Sequence, residues 1–281
     1  MFTFAGKLHI NNFSCIMANV IKIKKGLDIN LKGKASDVLL NGGKSESYAI
    51  VPDYYNGIVP KVVAKVGEKV KAGSVLMIDK NRPEIKFVSP VSGEVTAVNR
   101  GEKRKVLSIV VKPDAQIEYE EFGKKNVASL QGAEVKEVLL NAGMWPFIKQ
   151  RPYDIVAAPL DTPRDIFVSA FYSAPLAPNF DFIVKGQEAD FQTGLNALAK
   201  LTNGKVYVGV RSGSVVSGMK GVEIVEVEGP HPAANVGVQI NHIKPVNKGE
   251  VVWTVNPADV IVIGRLFNKG VADFSRMVAI T

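Results

Sequence analysis

A chain of 281 residues, 46% of them hydrophobic and 22% charged, has an ordinary globular composition and is long enough for two domains. Its single cysteine, Cys15, excludes an internal disulfide and any cysteine-based zinc or iron–sulfur centre, and no apolar run approaches the roughly 18 residues of a membrane-spanning helix. The net charge of +8 falls within residues 1–125, where 21 Lys and Arg face 13 Asp and Glu, against 14 of each in the remainder. Without aromatic interleaving or a base-reading motif, this excess reads as a solvated lysine surface or as a face for anionic lipid or an acidic partner, and nucleic acid is not expected as a partner.

Residues 1–16, MFTFAGKLHINNFSCI, make no secretory signal, because Lys7, His9, Asn11 and Asn12 interrupt the apolar region it would need. They are expected to be an N-terminal extension, with Met17 as an alternative start. Residues 17–122 then carry short β-branched runs separated by turn clusters, the pattern of a small barrel or sandwich. Within them GEKVKAGSVLMI and FVSPVSGEVTAV read as the two halves of a barrel-sandwich hybrid of the biotinyl/lipoyl type, with Gly57, Gly67, Gly73 and Gly93 at turns. A carrier domain of that shape presents a modified lysine on a tight hairpin. The one candidate, Lys80, is followed by Asn81, Arg82 and Pro83 in a wider loop, so the fold is expected without the carrier chemistry. Pro113–Lys125, polar and acidic, is the expected domain junction.

From residue 123 the pattern changes to alternating helix and strand. Val135, Val138, Leu139 and Ala142 line one helical face that Gly143 and Pro146 close. YDIVAAP and DIFVSAF read as buried strands. Gln187–Leu201 predicts a helix with Phe191, Leu195 and Leu198 inward, and KVYVGV and GVEIVEVEG are further strands. Asn256-Pro257 caps a helix that ends near Lys269-Gly270, and RMVAIT predicts a last strand. This alternation predicts a Rossmann-like α/β domain over 123–281, so that the fold class is α/β multidomain, a β barrel-sandwich hybrid followed by that domain.

No GxGxxG, GxxxxGK[ST] or GxSxG string is present, and GVRSGSVVSG after the KVYVGV strand has the wrong spacing for a phosphate cradle. No catalytic residue and no metal site is expected: His231 and His242 have neither HExxH spacing nor a carboxylate close by in sequence. His231 lies in GPHPAAN, where two prolines make a rigid turn able to present an imidazole. Trp145 and Phe147, beside Pro146 and Arg151-Pro152, form an aromatic and basic turn after the first helix, for which packing at a domain interface is the simplest reading.

Four blocks carry a resemblance: KIKKGLDINLKGKA from Lys22, DIFVSAFYSAPLAPNFDFIV from Asp165, DFQTGLNALAKLTNGKVYVGV from Asp190, and GPHPAANVGVQINHIKPVNKGEVVWTV from Gly229. They closely resemble the A subunits of the bacterial sodium-translocating NADH:quinone oxidoreductases, over Met17–Thr281. Ala234 stands where that family has Gly. The family's ubiquitin-like and helical regions would follow Thr281, so an N-terminal part of such a protein is expected.

More distantly the layout is similar to the C component of the Rnf complex and to the flavin-bearing component of respiratory complex I. Those relatives bind flavin or nucleotide through a Gly-rich segment after the first helix. Here the corresponding Asn141–Pro152 carries Met144, Trp145 and Phe147, whose bulk would take the flavin's space.

The resemblance therefore implies a cofactor-free peripheral subunit on the cytoplasmic face of the bacterial inner membrane, in a complex that moves electrons from NADH to ubiquinone or menaquinone and exports sodium. Flavins and iron–sulfur centres are expected in other subunits. The implied partners are those subunits, above all the integral one carrying the quinone site. Trp145, Phe147, Arg151, His231, Asn235 and His242 are the candidate contacts for quinone or a partner. The alternative is a soluble flavin- or NADH-binding oxidoreductase component of the Rnf-C type.

Overall fold

The computed structural model describes residues 19–29, 31–32 and 36–280. The expectations for residues 1–16, with His9 and Cys15, and for Met17 lie outside the described residues. The first described strand, β1 (Asn19–Lys22), is followed by segments without helix or strand over the described residues 23–29, 31–32 and 36–47, and then by seven short antiparallel strands. These are β2 (Tyr48–Ile50), β3 (Pro60–Val62), β4 (Lys69–Val70), β5 (Val75–Asp79), β6 (Lys86–Val88), β7 (Gly93–Arg100) and β8 (Val106–Pro113).

They form two sheets, ordered β2-β8-β7-β4 and β3-β5-β6, which close over Leu76, Met77, Ile85, Phe87, Val95 and Ile109. Alternating apolar residues on these strands supply that core. The barrel-sandwich hybrid predicted from the half-motifs is thus present. Lys80 is exposed in the loop between β5 and β6. Asp79 beside it is buried and accepts hydrogen bonds from the amides of Val59 and Asn81 and from Arg82 Nε.

The second layer system contains α1 (Gly132–Asn141), β9 (Ile148–Arg151), β10 (Ile155–Val156), β11 (Ile166–Ser169), α2 (Phe180–Val184), α3 (Glu188–Ala199) and β12 (Val206–Val210). It continues through β13 (Glu223–Glu228), α4 (Val236–Ile243), β14 (Val252–Val255) and α5 (Pro257–Lys269). Its sheet runs β1-β13-β12-β11-β14-β9-β10, parallel from β1 to β14 and antiparallel at β9 and β10. Strands β11 and β12 are buried on both faces, as their unbroken apolar runs require.

Two expectations need correction. Asn19–Lys22, grouped by sequence with the barrel in residues 17–122, pairs in parallel with β13 and forms the edge of the α/β sheet. A four-residue strand names its own conformation but not its partner, which lies about 200 residues away. The predicted final strand RMVAIT is irregular over its described residues 276–280. Side-chain anchoring replaces a ladder there: Phe274 packs edge-on against Phe147 at 6.0 Å, and Arg276 lies 3.0 Å from Asp259.

The barrel is hydrogen-bonded to the α/β domain through Arg82, whose Nη1 donates to Val156 O at 3.2 Å, and through the Val156 amide, which donates to Asn56 O at 2.9 Å. Gly143 turns the chain after α1 with φ +68°, and a Cβ there would come within 2.5 Å of Val88 Cγ1 of the barrel. One continuous apolar core runs through both parts.

Candidate functional site

In an open, mostly parallel sheet, ligands bind outside the carboxyl ends of the strands where the strand order diverges. Here that point lies between β11 and β14, because the chain leaves β11 toward β12 and β13 and returns to the other side of β11 as β14. An open cleft of about 610 Å³ occupies this position. Its walls come from the ends of β11 and β14, from Phe171 and Tyr172, from the first turns of α4 and α5, and from Phe147, Lys149 and Arg151 on the β9 side.

Local chemistry fixes these walls. Asn256 Oδ1 accepts from the Ala258 amide at 3.0 Å and Pro257 opens α5, which sets Asp259 in the first turn. Buried Gln239 donates to Ser169 Oγ at 2.9 Å and to Ala233 O at 3.0 Å, pinning α4 to the end of β11. Gly209 leaves the room this amide needs, since a Cβ would collide with Gln239 Oε1. Asn235 is the N-cap of α4 but makes no side-chain capping bond; its backbone N–H donates to Pro232 O and that of Val238 to Asn235 O, which leaves the Asn235 side chain and the N–H groups of Val236 and Gly237 at the cleft wall.

The electrostatics are mixed. Burial raises the Asp259 carboxyl above the usual carboxylate range, against the opposing pull of Arg276 and Lys149. Arg276 Nη2 is within ion-pair distance at 3.0 Å, although Asp259 Oδ1 accepts no well-aligned hydrogen bond. Burial also lowers the Lys149 ammonium, against the pull of Asp154 and Asp259. That ammonium lies 5.1 Å from the ring centroid of Tyr55. Arg151 pairs with Asp154 at 3.3 Å, while its Nε is buried without a hydrogen-bond partner. Burial raises the Tyr172 phenol, whose hydroxyl donates to Asn256 Oδ1 at 3.4 Å. The arrangement suits a flat apolar group between Phe147, Phe171 and Tyr172 with polar atoms turned toward the cations and the α4 amides. Among the described residues no group of three or more His, Cys, Asp or Glu gathers to hold a metal.

Of the residues singled out from sequence, Phe147, Arg151 and Asn235 line this cleft. Trp145 does not. It is fully buried, donates its indole N–H to Ala157 O at 2.8 Å, and meets Trp253 edge-on at 5.4 Å. Met144 is buried with it. His231 is outside the lining, with Nδ1 3.0 Å from Ser173 Oγ and its amide donating to Asp28 Oδ1 at 2.8 Å. His242 sits on the last turn of α4, exposed, with Nδ1 2.8 Å from Val238 O.

Sequence reasoning missed Lys149, Tyr172 and Asp259. The Asn256-Pro257 cap was a usable signal, since a helix start after a buried strand marks a carboxyl-end rim. Lys149 had none, because β9 carries no alternation that reveals it as a strand. No helix among the described residues is long and apolar enough to cross a membrane.

Residues 21–114 match the family model described as the NqrA N-terminal barrel-sandwich hybrid domain, and residues 130–272 match that of the NqrA second alpha/beta domain. Over 266 residues the chain is 39% identical to the A subunit of the Na(+)-translocating NADH-quinone reductase of Hahella chejuensis, covering 93% of this chain and 59% of the relative. The same-named subunits of Photorhabdus laumondii and Neisseria meningitidis are each 37% identical over 265 residues, with the same coverage. The chain thus spans 59% of the length of these curated relatives. With both domains matched in order, the chain belongs to the NqrA family, the A subunits of the Na(+)-translocating NADH-quinone reductases.

Proposed function

We propose that this chain serves in a sodium-translocating NADH:quinone reductase as a peripheral, non-redox component, docked on the membrane subunits at the cytoplasmic face. The match of both domains to the NqrA family carries this reading. Its own share is architecture and ligand contact. Electron transfer from NADH to quinone, and the sodium movement coupled to it, belong to the assembled complex, with flavins and iron–sulfur centres in neighbouring subunits.

Within the chain, the cleft at the ends of β11 and β14 is the proposed contact for quinone or for the partner that carries it. Phe147 and Tyr172 would flank a ring, while Lys149, Arg151 and Asn235 would donate to its oxygens.

Co-purification with the membrane subunits, followed by crosslinking with a photoreactive quinone, tests this. Assembly with crosslinks at the cleft is expected, and Arg151→Ala should reduce them. Crosslinks confined to a neighbouring protein of the complex would move the quinone contact there. A yellow protein, or a melting temperature raised by NADH alone, would overturn the non-redox reading.

A further inference from the structure

The segment that follows α5 brings a further charge to the cleft. Arg265, buried in α5, donates to Asp273 O at 3.1 Å and to Ser275 O and Oγ, each at 2.9 Å, so residues 273–275 are held without a strand. Its Nη2 donates to Gln187 Oε1 at 2.6 Å. The segment, fixed in this way, sets Phe274 against Phe147 and places the Arg276 guanidinium 5.8 Å from the Phe147 ring centroid and 3.0 Å from Asp259 Oδ1. Phe147 and Asp259 both line the cleft.

Each carboxylate facing Lys149 is already taken. Asp154, from the turn between β9 and β10, pairs with Arg151 at 3.3 Å, and Asp259, from the first turn of α5, pairs with Arg276. Tyr55 of the barrel offers only its ring face, 5.1 Å from the ammonium. Among the described residues Lys149 makes neither an ion pair nor a side-chain hydrogen bond, although both carboxylates are near enough to favour its charged form. A half-buried ammonium without an acceptor is costly, and at a cleft wall it is a donor held ready for a ligand. We infer that Arg276 is a positioning residue for the cleft ligand: by occupying Asp259 it keeps Lys149 from closing on that carboxylate, and the ammonium stays free to donate to a quinone carbonyl oxygen. This rests on the cleft being the quinone contact. Lys149 is the other cation that acts on Asp259, so loss of Arg276 turns the carboxylate toward it.

The test has a ligand-free arm and a ligand arm, both on the purified 281-residue chain. At about pH 8, Arg276→Met should slow the acetylation of Lys149 by acetic anhydride about tenfold, read by peptide mass spectrometry, because an ammonium paired to a carboxylate gives up its proton less readily. Adding Asp259→Asn should restore the wild-type rate, and Arg276→Lys should keep it. Binding of ubiquinone-1, measured by equilibrium dialysis, should follow the same order, weakened about tenfold by Arg276→Met and recovered in the double variant. If Arg276→Met lowers the melting temperature, Arg276→Gln, which keeps a polar head at that position, gives the same reading. Lys149 reactivity unchanged by loss of Arg276, or slowed and not restored by Asp259→Asn at the wild-type melting temperature, would overturn the role of Arg276. The expected acetylation pattern with no ubiquinone-1 bound by any variant would instead overturn quinone as the ligand.

Discussion

The turn at Gly143–Phe147 and the cleft at the ends of β11 and β14 are neighbours that meet at Phe147, and they differ in what fills them. At the turn, Met144 and Trp145 are fully buried and the backbone touches the barrel; at the cleft, a half-buried ammonium, an arginine and an uncapped helix start face open space. Aromatic bulk after a Rossmann-like first helix therefore reports how this domain is fixed to its neighbour. The open cleft lies one strand away.

Substitutions at five positions test that division. Trp145→Ala should cost about 3–5 kcal/mol in denaturant unfolding, through a large cavity and the orphaned Ala157 carbonyl; a loss under about 1 kcal/mol would mean the turn does not hold the domains together. Gly143→Ala should cost about 1–3 kcal/mol, and Val88→Ala in the same chain should recover part of it, as a double-mutant cycle would show.

At the cleft the effects are smaller and depend on pH. Asp259 has its folded pKa raised, so the folded chain binds more protons and stability falls as pH rises from the ordinary carboxylate range toward that raised value. Asp259→Asn should abolish this fall in melting temperature against pH, whereas Arg276→Met should carry it to higher pH. For Lys149, whose folded pKa is lowered, stability should rise with pH from the lowered value up to the ordinary lysine value. Lys149→Met should remove that rise and change neutral-pH stability least of the five, while still reducing quinone crosslinking. If it unfolded the protein instead, the cleft would be a structural ion cluster like the turn beside it.

Elements closed by local chemistry were legible in the sequence. The periodicity of Val135, Val138 and Leu139 matches α1, and Asn256-Pro257 with Gly270 at φ +78° bounds α5. The half-motifs around Gly67 and Gly93 foretold the barrel. What depended on distant partners was not legible. α4 buries a polar residue, Gln239, for reasons that lie on β11 and β12, so its pattern does not announce a helix. Phe147, Arg151 and Asn235 reach the cleft and Trp145 does not, because sequence names the aromatic residues of a turn without saying which way each side chain leaves it.

The pairing of β1 with β13 has a consequence during synthesis. Asn19 leaves the ribosome early, yet its partner Val225 follows about 200 residues later. At ~5–20 residues per second the leading strand must wait on the order of 10–40 s before its hydrogen bonds can form. Throughout that interval the nascent chain carries an unsatisfied edge, and residues 130–272 produced by themselves would expose the complementary one on β13, so both fragments should aggregate more readily than the joined chain.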